Sequence, residues 1–514
     1  MKSLPAKTAR FLGLAGIICF LCMLVTLSLA SLGTTALSRI GDNRMNQHVT
    51  IVSDSVPLNL ALTLAFILLL VVLHLVLERY VSRRQLLIMA LLYTAAAVWF
   101  VLGVGLLPRA DSYIVIEAAK RFAAGDYSPL REAYFHRYSF QLGLCLLMEA
   151  LCRLFPGLDL NLTMQVINCL LSMVTMGNLC ALSAQVMGDS RVPRAAWLMI
   201  FAFLPCLFFN MFVYGVLPTM ACYTGAMLCF SLYTQKKKRA YALAYACLLG
   251  MAVVLKPNAM VVAIALSICS VLYTLSSRDY TLLSCCALSV ALCLLLPAAV
   301  NKCYELRSGI TLLTDSSMQL RLAMGMQDSV IAAGWYNGLL EEYWDLAITP
   351  QEEKAAAIQM VLARLREFSQ SPGMAWAFLR EKCLTQWSEP SYDILWYASI
   401  CAKSGRYNGL ANMLFRESSP LRAILESYLN IVQQAVYLLS VVGTLRLARS
   451  KPIRIAALIL PVTILGGFLY HMMFEAKSQY IYPYMLLLIP IAAHGLSALS
   501  MRILRRRKLP KSIE

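Results

Sequence analysis

The sequence has 514 residues, of which 60% are hydrophobic and 14% are charged. A soluble protein carries about 25% charged residues, and runs of about 20 apolar residues recur here, each long enough to cross about 30 Å of hydrocarbon. Composition therefore excludes an ordinary soluble protein and predicts an all-α polytopic membrane protein. The formal net charge of +18 is divided among short loops, as the positive-inside rule predicts, so we expect no nucleic acid partner.

Twelve apolar segments predict a bundle of about twelve transmembrane helices. Clusters of Lys and Arg flank alternate ends of these segments, which places both chain termini in the cytoplasm. The segments are residues 11–32, 58–77, 86–107, 162–187, 195–209, 219–233, 241–255, 259–275, 282–300, 424–445, 455–470 and 481–499.

The spacing of these segments divides the chain into five parts. Membrane helices (1–107) precede a first outer loop with juxtamembrane helices (108–160). A transmembrane core (161–300), a large helical outer loop (301–421), and C-terminal membrane helices with a basic tail (422–514) follow.

Residues 138–155 are apolar but carry Gln141, Glu149 and Arg153. Charges at mid-membrane cost at least about 2.5 kcal/mol each, whereas Glu149 and Arg153, four residues apart, pair along a helix. We therefore predict a helix at the outer face that does not cross. A crossing here would also put the basic cluster 236–239 outside, against the positive-inside rule.

The outer loop 301–421 is predicted to be mostly helical. Thr349, Pro350 and Glu352 form a helix start with an N-cap, a proline at the first position and a capping-box glutamate. A second helix begins at Pro372. We expect both helices to lie on the transmembrane bundle. The first has one apolar face, formed by Ile358, Val361, Leu362, Leu365 and Phe368.

Several polar segments are predicted at the outer face of the membrane. Asp111 follows a membrane helix by only a few residues, so it must lie near the boundary between lipid and water. Three other polar segments are predicted on the same side of the membrane as Asp111: the turn 210–218, the stretch 256–258 and the turn 471–483. Carboxylates and cations converge there, as suits a phosphate-bearing lipid headgroup held beside a carboxylate base.

Each of these residues also has a plainer interpretation. Asp111 is favourable at the start of any helix because of the helix dipole. Lys256 at a helix end fits a lysine that extends to the interface, and Tyr480 fits an aromatic belt.

Short motifs in this order resemble the GT-C superfamily of membrane glycosyltransferases, especially bacterial relatives of protein O-mannosyltransferases and aminoarabinose transferases. The resemblance spans roughly residues 86–500. Its motifs are ADSYIVIEAAKRFAAGDY (110–127), AYFHRYSFQLG (133–143), GWYNG (334–338), WSEP (387–390) and EAKSQYIYP (475–483). The chain departs from the family pattern at Ser112, at Ser139 and Phe140, and at Gln479, which stands where an arginine is usual.

The resemblance implies a GT-C-like bundle and an inverting glycosyltransferase that uses a polyprenyl-phosphate-linked sugar at the outer face of the plasma membrane. Asp111 would be the catalytic base for a glycan, lipid or protein acceptor. Some members use a divalent metal, and the sequence does not decide this. The implied acceptor-orienting residues are Glu132, His136 and Glu475, and those for the donor phosphate are Lys256, Arg137, Lys477 and Tyr480.

Two other functions stay open at the level of sequence. A lipid-linked sugar flippase predicts polar residues along a path through the membrane. A non-catalytic envelope assembly partner predicts that the outer loop does the work and that Asp111→Asn is silent.

Overall fold

The computed structural model of the chain describes residues 4–508 except 44, 313–316, 346–348, 404, 406–407 and 451–453. Its first part is a pair of strands between long apolar helices. The elements are α1 (Leu4–Gly33), β1 (Thr34–Arg39), β2 (His48–Ser53), α2 (Val56–Tyr80) and α3 (Arg83–Val104).

The first outer loop folds into three short helices, α4 (Asp111–Ala123), α5 (Ala133–Arg137) and α6 (Leu142–Leu154). With 13 residues, α6 is about 20 Å long, too short to cross about 30 Å of hydrocarbon. Glu149 accepts from Arg153 at 2.8 Å and from Tyr304 at 2.7 Å, and it also pairs with Arg307. The prediction of a helix that does not cross agrees with this length and pairing.

The central part consists of apolar helices, one of which is broken. The predicted span 195–209 is not one continuous helix: the helices Val192–Ala202 and Pro205–Met211 meet at an angle of 68°. Proline lacks the N–H that would extend the helix and clashes with the preceding turn. The helices are α7 (Leu160–Met187), α8 (Val192–Ala202), α9 (Pro205–Phe208), α10 (Val216–Lys236), α11 (Arg239–Leu255), α12 (Met260–Ser277) and α13 (Thr281–Ser308).

The large outer loop is helical, and both predicted helix starts are confirmed. Thr349 caps α16, since its Oγ1 accepts from the Glu352 backbone N–H at 3.3 Å. The apolar face of α16 does not lie on the bundle as expected: Leu362 and Leu365 are exposed, while Val361 packs towards α14. The helices are α14 (Met318–Gly325), α15 (Leu339–Asp345), α16 (Pro350–Gln370), α17 (Pro372–Trp387), α18 (Ile394–Lys403) and α19 (Gly409–Phe415).

Three helices close the bundle, α20 (Pro420–Arg449), α21 (Ile459–Met473) and α22 (Tyr482–Lys508). The helices α20 and α22 cross closely: a Cβ on Gly443 would lie 2.0 Å from the carbonyl oxygen of Ile491. Small residues permit such crossings between membrane helices. Lys451, one of the residues predicted to mark the inner face, lies outside the described residues.

Ten of the described helices are long and apolar enough to cross a membrane. The bent pair α8–α9 would be an eleventh span. The apolar helix α11 has 17 residues and is about 26 Å long. Each of the twelve predicted segments is therefore helical, and a polytopic α-helical membrane protein is confirmed.

The hairpin of β1 and β2 was not predicted, and it is a small addition to an otherwise helical fold. The strands pair antiparallel from Thr34 opposite Ser53 to Arg39 opposite His48. The hairpin packs under the large outer loop, since the Ala36 N–H donates to the carbonyl oxygen of Ser388 at 2.9 Å. Each strand has only six residues, so its alternation of apolar and polar side chains is a weak signal in the sequence.

We expect Gly467→Ala to destabilise the bundle, whereas the neighbouring substitution Gly466→Ala should not. A Cβ at Gly467 would lie 2.2 Å from the Tyr484 ring, and one at Gly466 would lie 3.6 Å from its nearest neighbour, Val261. Overpacking costs about 1–3 kcal/mol. Thermal unfolding in detergent measures the difference, and equal melting temperatures for the two variants would contradict this packing.

Candidate functional site

Four segments meet at one end of the bundle and bring polar side chains together. The Tyr214 hydroxyl donates to Asp111 Oδ2 at 2.6 Å, and Gln141 Nε2 donates to the same hydroxyl oxygen at 2.6 Å. Lys256 Nζ lies 4.0 Å from the Tyr214 ring centroid and 6.0 Å from that of Tyr480. We call Asp111, Gln141, Tyr214, Lys256 and Tyr480 the Asp111 cluster.

The loops that carry Asp111 and Tyr214 are held by amide side chains of α7. Asn161 and Gln165 donate to the carbonyl oxygen of Leu106 at 2.9 and 2.8 Å. Gln165 also donates to Met211 at 3.0 Å, and Asn168 donates to two more carbonyl groups of the same turn at 3.2 and 3.3 Å. Three amide side chains of α7 thus hold the two connections in place. The roles of Asn161 and Gln165 were missed.

The backbone before Asp111 is unusual. Ala110 has a φ of 46°, a region that costs a non-glycine residue roughly 1–3 kcal/mol. The preceding N–H, that of Arg109, donates to the Tyr397 hydroxyl at 2.9 Å. Asp111 is the first residue of α4, where the helix dipole favours a carboxylate.

A glycine turn places the Tyr214 ring against Lys256. Gly215 has a φ of 71°, and a Cβ there would lie 3.1 Å from the carbonyl oxygen of Leu255. A side chain at this position would therefore be strained and crowded. The turn packs on the end of α11, and Lys256 is the next residue along the chain.

Lys256 is a part-buried cation, and no described carboxylate lies within 4 Å of its ammonium group. Burial lowers the pKa of Lys256 to about 7, while the charge of Asp111 acts in the opposite direction. Desolvation disfavours the charged form of a lysine, so an anion that binds here would restore the charge.

The segment before α22 carries three of the predicted residues. The Tyr480 hydroxyl donates to Glu475 Oε2 at 3.3 Å. Burial raises the pKa of Glu475, and the charges of Lys477 and Arg321 oppose this rise. Lys477 Nζ lies 3.9 Å from Oδ2 of Asp393, a residue absent from the predicted site.

A second polar group surrounds Glu341, which the sequence analysis did not single out. Arg137 pairs with Glu341 at 3.3 Å, Tyr138 donates to it at 3.0 Å, and Tyr336 also donates to it. The only signal in the sequence was that Tyr336 lies in the GWYNG motif. Arg137 therefore has a carboxylate partner, unlike Lys256.

The remaining two predicted residues lie on the first outer loop. The side chain of Glu132 is 59% exposed and faces Arg121 at 3.9 Å. His136 is half-buried, and burial lowers its pKa. Tyr134 was not predicted. Burial raises the pKa of Tyr134, and the nearby charge of Asp111 raises it further.

A cavity of about 40 Å³ opens beside Lys256 and Tyr480 and extends between α10, α12 and α22. The hydroxyl groups of Thr219 and Tyr223 line it, and neither has a hydrogen-bond partner among the described residues. Two amide residues, Asn258 and Gln479, also line it. The other lining residues are largely apolar: Val216, Met220, Ala259, Val262, Pro483, Tyr484 and Leu487.

Within the described part of the chain, no group of three or more His, Cys, Asp or Glu residues has the arrangement of a metal site.

The helices and this polar end define the class: an integral membrane protein with many membrane-spanning helices. The sequence profile of a family described as conserved hypothetical integral membrane proteins matches residues 12–315, more than half of the chain, and the chain belongs to that family. The matched region includes Asp111, Tyr214 and Lys256 and ends before Glu475. No curated protein and no solved structure matches.

A second buried lysine provides a contrast with Lys256. Lys382 on α17 donates to the carbonyl oxygen of Phe474 at 2.8 Å and to that of Gly325. Burial lowers the pKa of Lys382 to about 7 as well. Its two backbone acceptors tie α14 and α17 to the segment before Glu475, so Lys382 has a structural role.

We expect Lys256→Met to raise the melting temperature of the ligand-free protein at pH 7 by about 2–5 °C. The pKa of Lys256 is lowered on folding, so its charge costs stability below the ordinary lysine pKa of about 10.4, and this cost is complete near pH 7. The difference from wild type should therefore shrink as the pH rises towards 10.

Lys382→Met is the matched control. It should lower the melting temperature at pH 7, because buried carbonyl oxygens would lose their donor. If both variants lost stability equally at pH 7, Lys256 would be a structural residue.

Proposed function

We propose that the chain is a glycosyltransferase that moves a sugar from a polyprenyl-phosphate-linked donor to an acceptor hydroxyl. The observation that carries this proposal is the position of Lys256, a cation without a described carboxylate partner, beside Asp111 at the mouth of a cavity between membrane helices. A carboxylate beside an anion site is what transfer from a lipid phosphate needs.

The charge of Lys256 suits the donor phosphate. Ammonium groups bind phosphate as point charges, and this one contacts a tyrosine ring and a backbone carbonyl oxygen. The cavity lies between helices that are long enough to span a membrane, so a lipid tail stays in hydrocarbon while its headgroup reaches Lys256.

In the reaction, Asp111 takes the proton from the acceptor hydroxyl, and the acceptor oxygen attacks C1 of the sugar. The bond between C1 and the phosphate oxygen breaks, and its electron pair leaves with the polyprenyl phosphate. Tyr214 orients the Asp111 carboxylate, and Lys256 stabilises the charge that develops on the leaving phosphate. Glu475 and Tyr480 line the same site and orient the substrates.

We place this end of the bundle at the outer face of a plasma membrane. The short connections at the opposite end carry several basic residues: Arg446 pairs with Asp189 at 3.1 Å, and Arg454 donates to Gln185 at 3.4 Å. Basic residues favour the cytoplasmic side, which leaves the Asp111 cluster outside and both termini inside.

Asp111→Asn should lower the transfer rate by about 10²–10⁴-fold, the usual contribution of a general base. The assay measures transfer from a panel of radiolabelled polyprenyl-phosphate sugars to envelope acceptors by protein reconstituted in vesicles. Glu117→Gln, on the same helix and paired with Lys120 at the surface, is the control and should keep full activity. Equal transfer by Asp111→Asn and wild type would remove Asp111 from the reaction.

Affinity for a lipid phosphate should fall about tenfold for each pH unit above 7. Lys256 is protonated below its pKa of about 7, and an anion raises that pKa, so binding is tightest below pH 7 and weakens as the pH rises. A farnesyl phosphate methyl diester, which keeps one negative charge over this range, is a suitable probe.

Lys256→Arg serves as the control, because arginine stays charged, and its affinity should be constant from pH 7 to 9. A flat profile for the wild type would show that Lys256 does not hold the phosphate.

One observation favours a flippase as a second candidate. The hydroxyl groups of Thr219 and Tyr223, which have no hydrogen-bond partner within the described part of the chain, lie on the cavity walls between membrane helices. A transport path would need polar contacts there. In the same vesicles, movement of a labelled lipid-linked sugar between leaflets without any product would favour transport over transfer.

A further inference from the structure

The proposed reaction moves one unit of negative charge from Asp111 to the phosphate. The donor is a phosphodiester with one negative charge, and the leaving lipid is a monoester with a charge of about −1.5 to −2 at pH 7. Asp111 becomes neutral when it accepts the proton. The phosphate therefore needs one cation before the reaction and a second one as the bond to C1 breaks.

Lys477 is the candidate for the second cation. Residues 475–477 are extended, and the Ala476 N–H donates to the carbonyl oxygen of Gly334 at 2.8 Å. Side chains alternate along an extended segment, so Glu475 and Lys477 project from the same side. The positive charge of Lys477 acts to lower the pKa of Glu475, against the larger effect of burial, and it also contributes to the lowered pKa of Lys256. The three groups are therefore close enough to interact electrostatically.

The present partner of Lys477 holds it loosely. Its Nζ lies 3.9 Å from Asp393 Oδ2, beyond the usual hydrogen-bond distance of about 2.7–3.2 Å. Asp393 Oδ2 has no hydrogen-bond partner among the described residues, although the residue is only 2% exposed. The side chain of Lys477 is 23% exposed and lies over the Trp396 ring, 5.7 Å from its centroid.

Asp393 itself is firmly fixed. Gln47 of the hairpin donates to Asp393 Oδ1 at 2.8 Å, and the Asp393 N–H donates to Glu389 Oε2 at 2.6 Å. Asp393 has a φ of 67°, in the left-handed region where Asp and Asn are the best tolerated non-glycine residues. A fixed carboxylate therefore faces a lysine that makes only a long ion pair with it.

We propose that Lys477 is held by Asp393 in the resting protein and moves to the lipid phosphate as that phosphate becomes a monoester. Lys256 then binds the phosphate of both the donor diester and the product monoester. Lys477 binds only the monoester, which carries the additional negative charge. This assignment rests on the proposed function for the identity of the ligand, a lipid phosphate.

The test compares the binding of farnesyl monophosphate and of its methyl diester at pH 7 to wild-type protein in nanodiscs. Lys477→Met should weaken monoester binding about tenfold or more, as expected for a lost charge-assisted contact, and diester binding less than about threefold. Lys256→Met should weaken the binding of both probes. A cooperative thermal unfolding transition for each variant establishes that it is folded.

Asp393→Asn gives a second, independent test. Asparagine keeps the shape, the contact with Gln47 and the backbone conformation, but it no longer attracts Lys477. Monoester affinity should therefore rise several-fold, whereas loss of a merely structural residue would lower it or leave it unchanged.

The outcomes separate the two proposals. If Lys477→Met weakened both probes equally, or if Asp393→Asn lowered monoester affinity or left it unchanged, the assignment of Lys477 would fail and the donor site would stand. If neither probe bound to wild-type protein, the lipid-phosphate donor itself would be wrong, and this inference would fall with it.

Discussion

The site depends on how its non-helical backbone is held at the end of a membrane bundle. Carbonyl groups there have little water to bind, and an unsatisfied one costs several kcal/mol. Three amide side chains on one face of α7 donate hydrogen bonds to such carbonyl groups in the two connections that carry Asp111 and Tyr214. They belong to Asn161, Gln165 and Asn168. These hydrogen bonds satisfy the backbone carbonyl groups and also hold the side chains of Asp111 and Tyr214 close to each other. The same contacts therefore stabilise the fold and position the site.

The transmembrane segments were predictable because their signal is local. An apolar run of about 20 residues needs no information from elsewhere in the chain, and the capping box at Thr349 likewise lies within four residues. The break between α8 and α9 was also visible in the sequence, as Pro205. It was overlooked because the run 195–209 is apolar on both sides of the proline.

The contacts within the site were less predictable, because they join distant parts of the chain. Asp111 and Tyr214 are 103 residues apart, and Tyr138 and Glu341 are 203 apart. The polar composition near Asp111 indicated at which end of the bundle the polar groups lie. No local pattern in the sequence predicts which of these groups contact each other. The sequence analysis therefore placed Lys256, Tyr480 and the turn that contains Tyr214 at the same end as Asp111, but it did not assign Gln141, Tyr214 or Glu341 to the site.

Lys256 and Lys382 illustrate why burial alone does not identify a functional residue. Burial lowers the pKa of each to about 7. Lys382 donates to two backbone carbonyl oxygens from different segments, which uses its hydrogen-bonding capacity within the protein. Lys256 has a tyrosine ring and one carbonyl oxygen at 3.5 Å, so most of its capacity remains for a ligand. A protein that keeps a desolvated and poorly satisfied lysine beside a carboxylate gives up stability there, and an anionic ligand at this position would recover it.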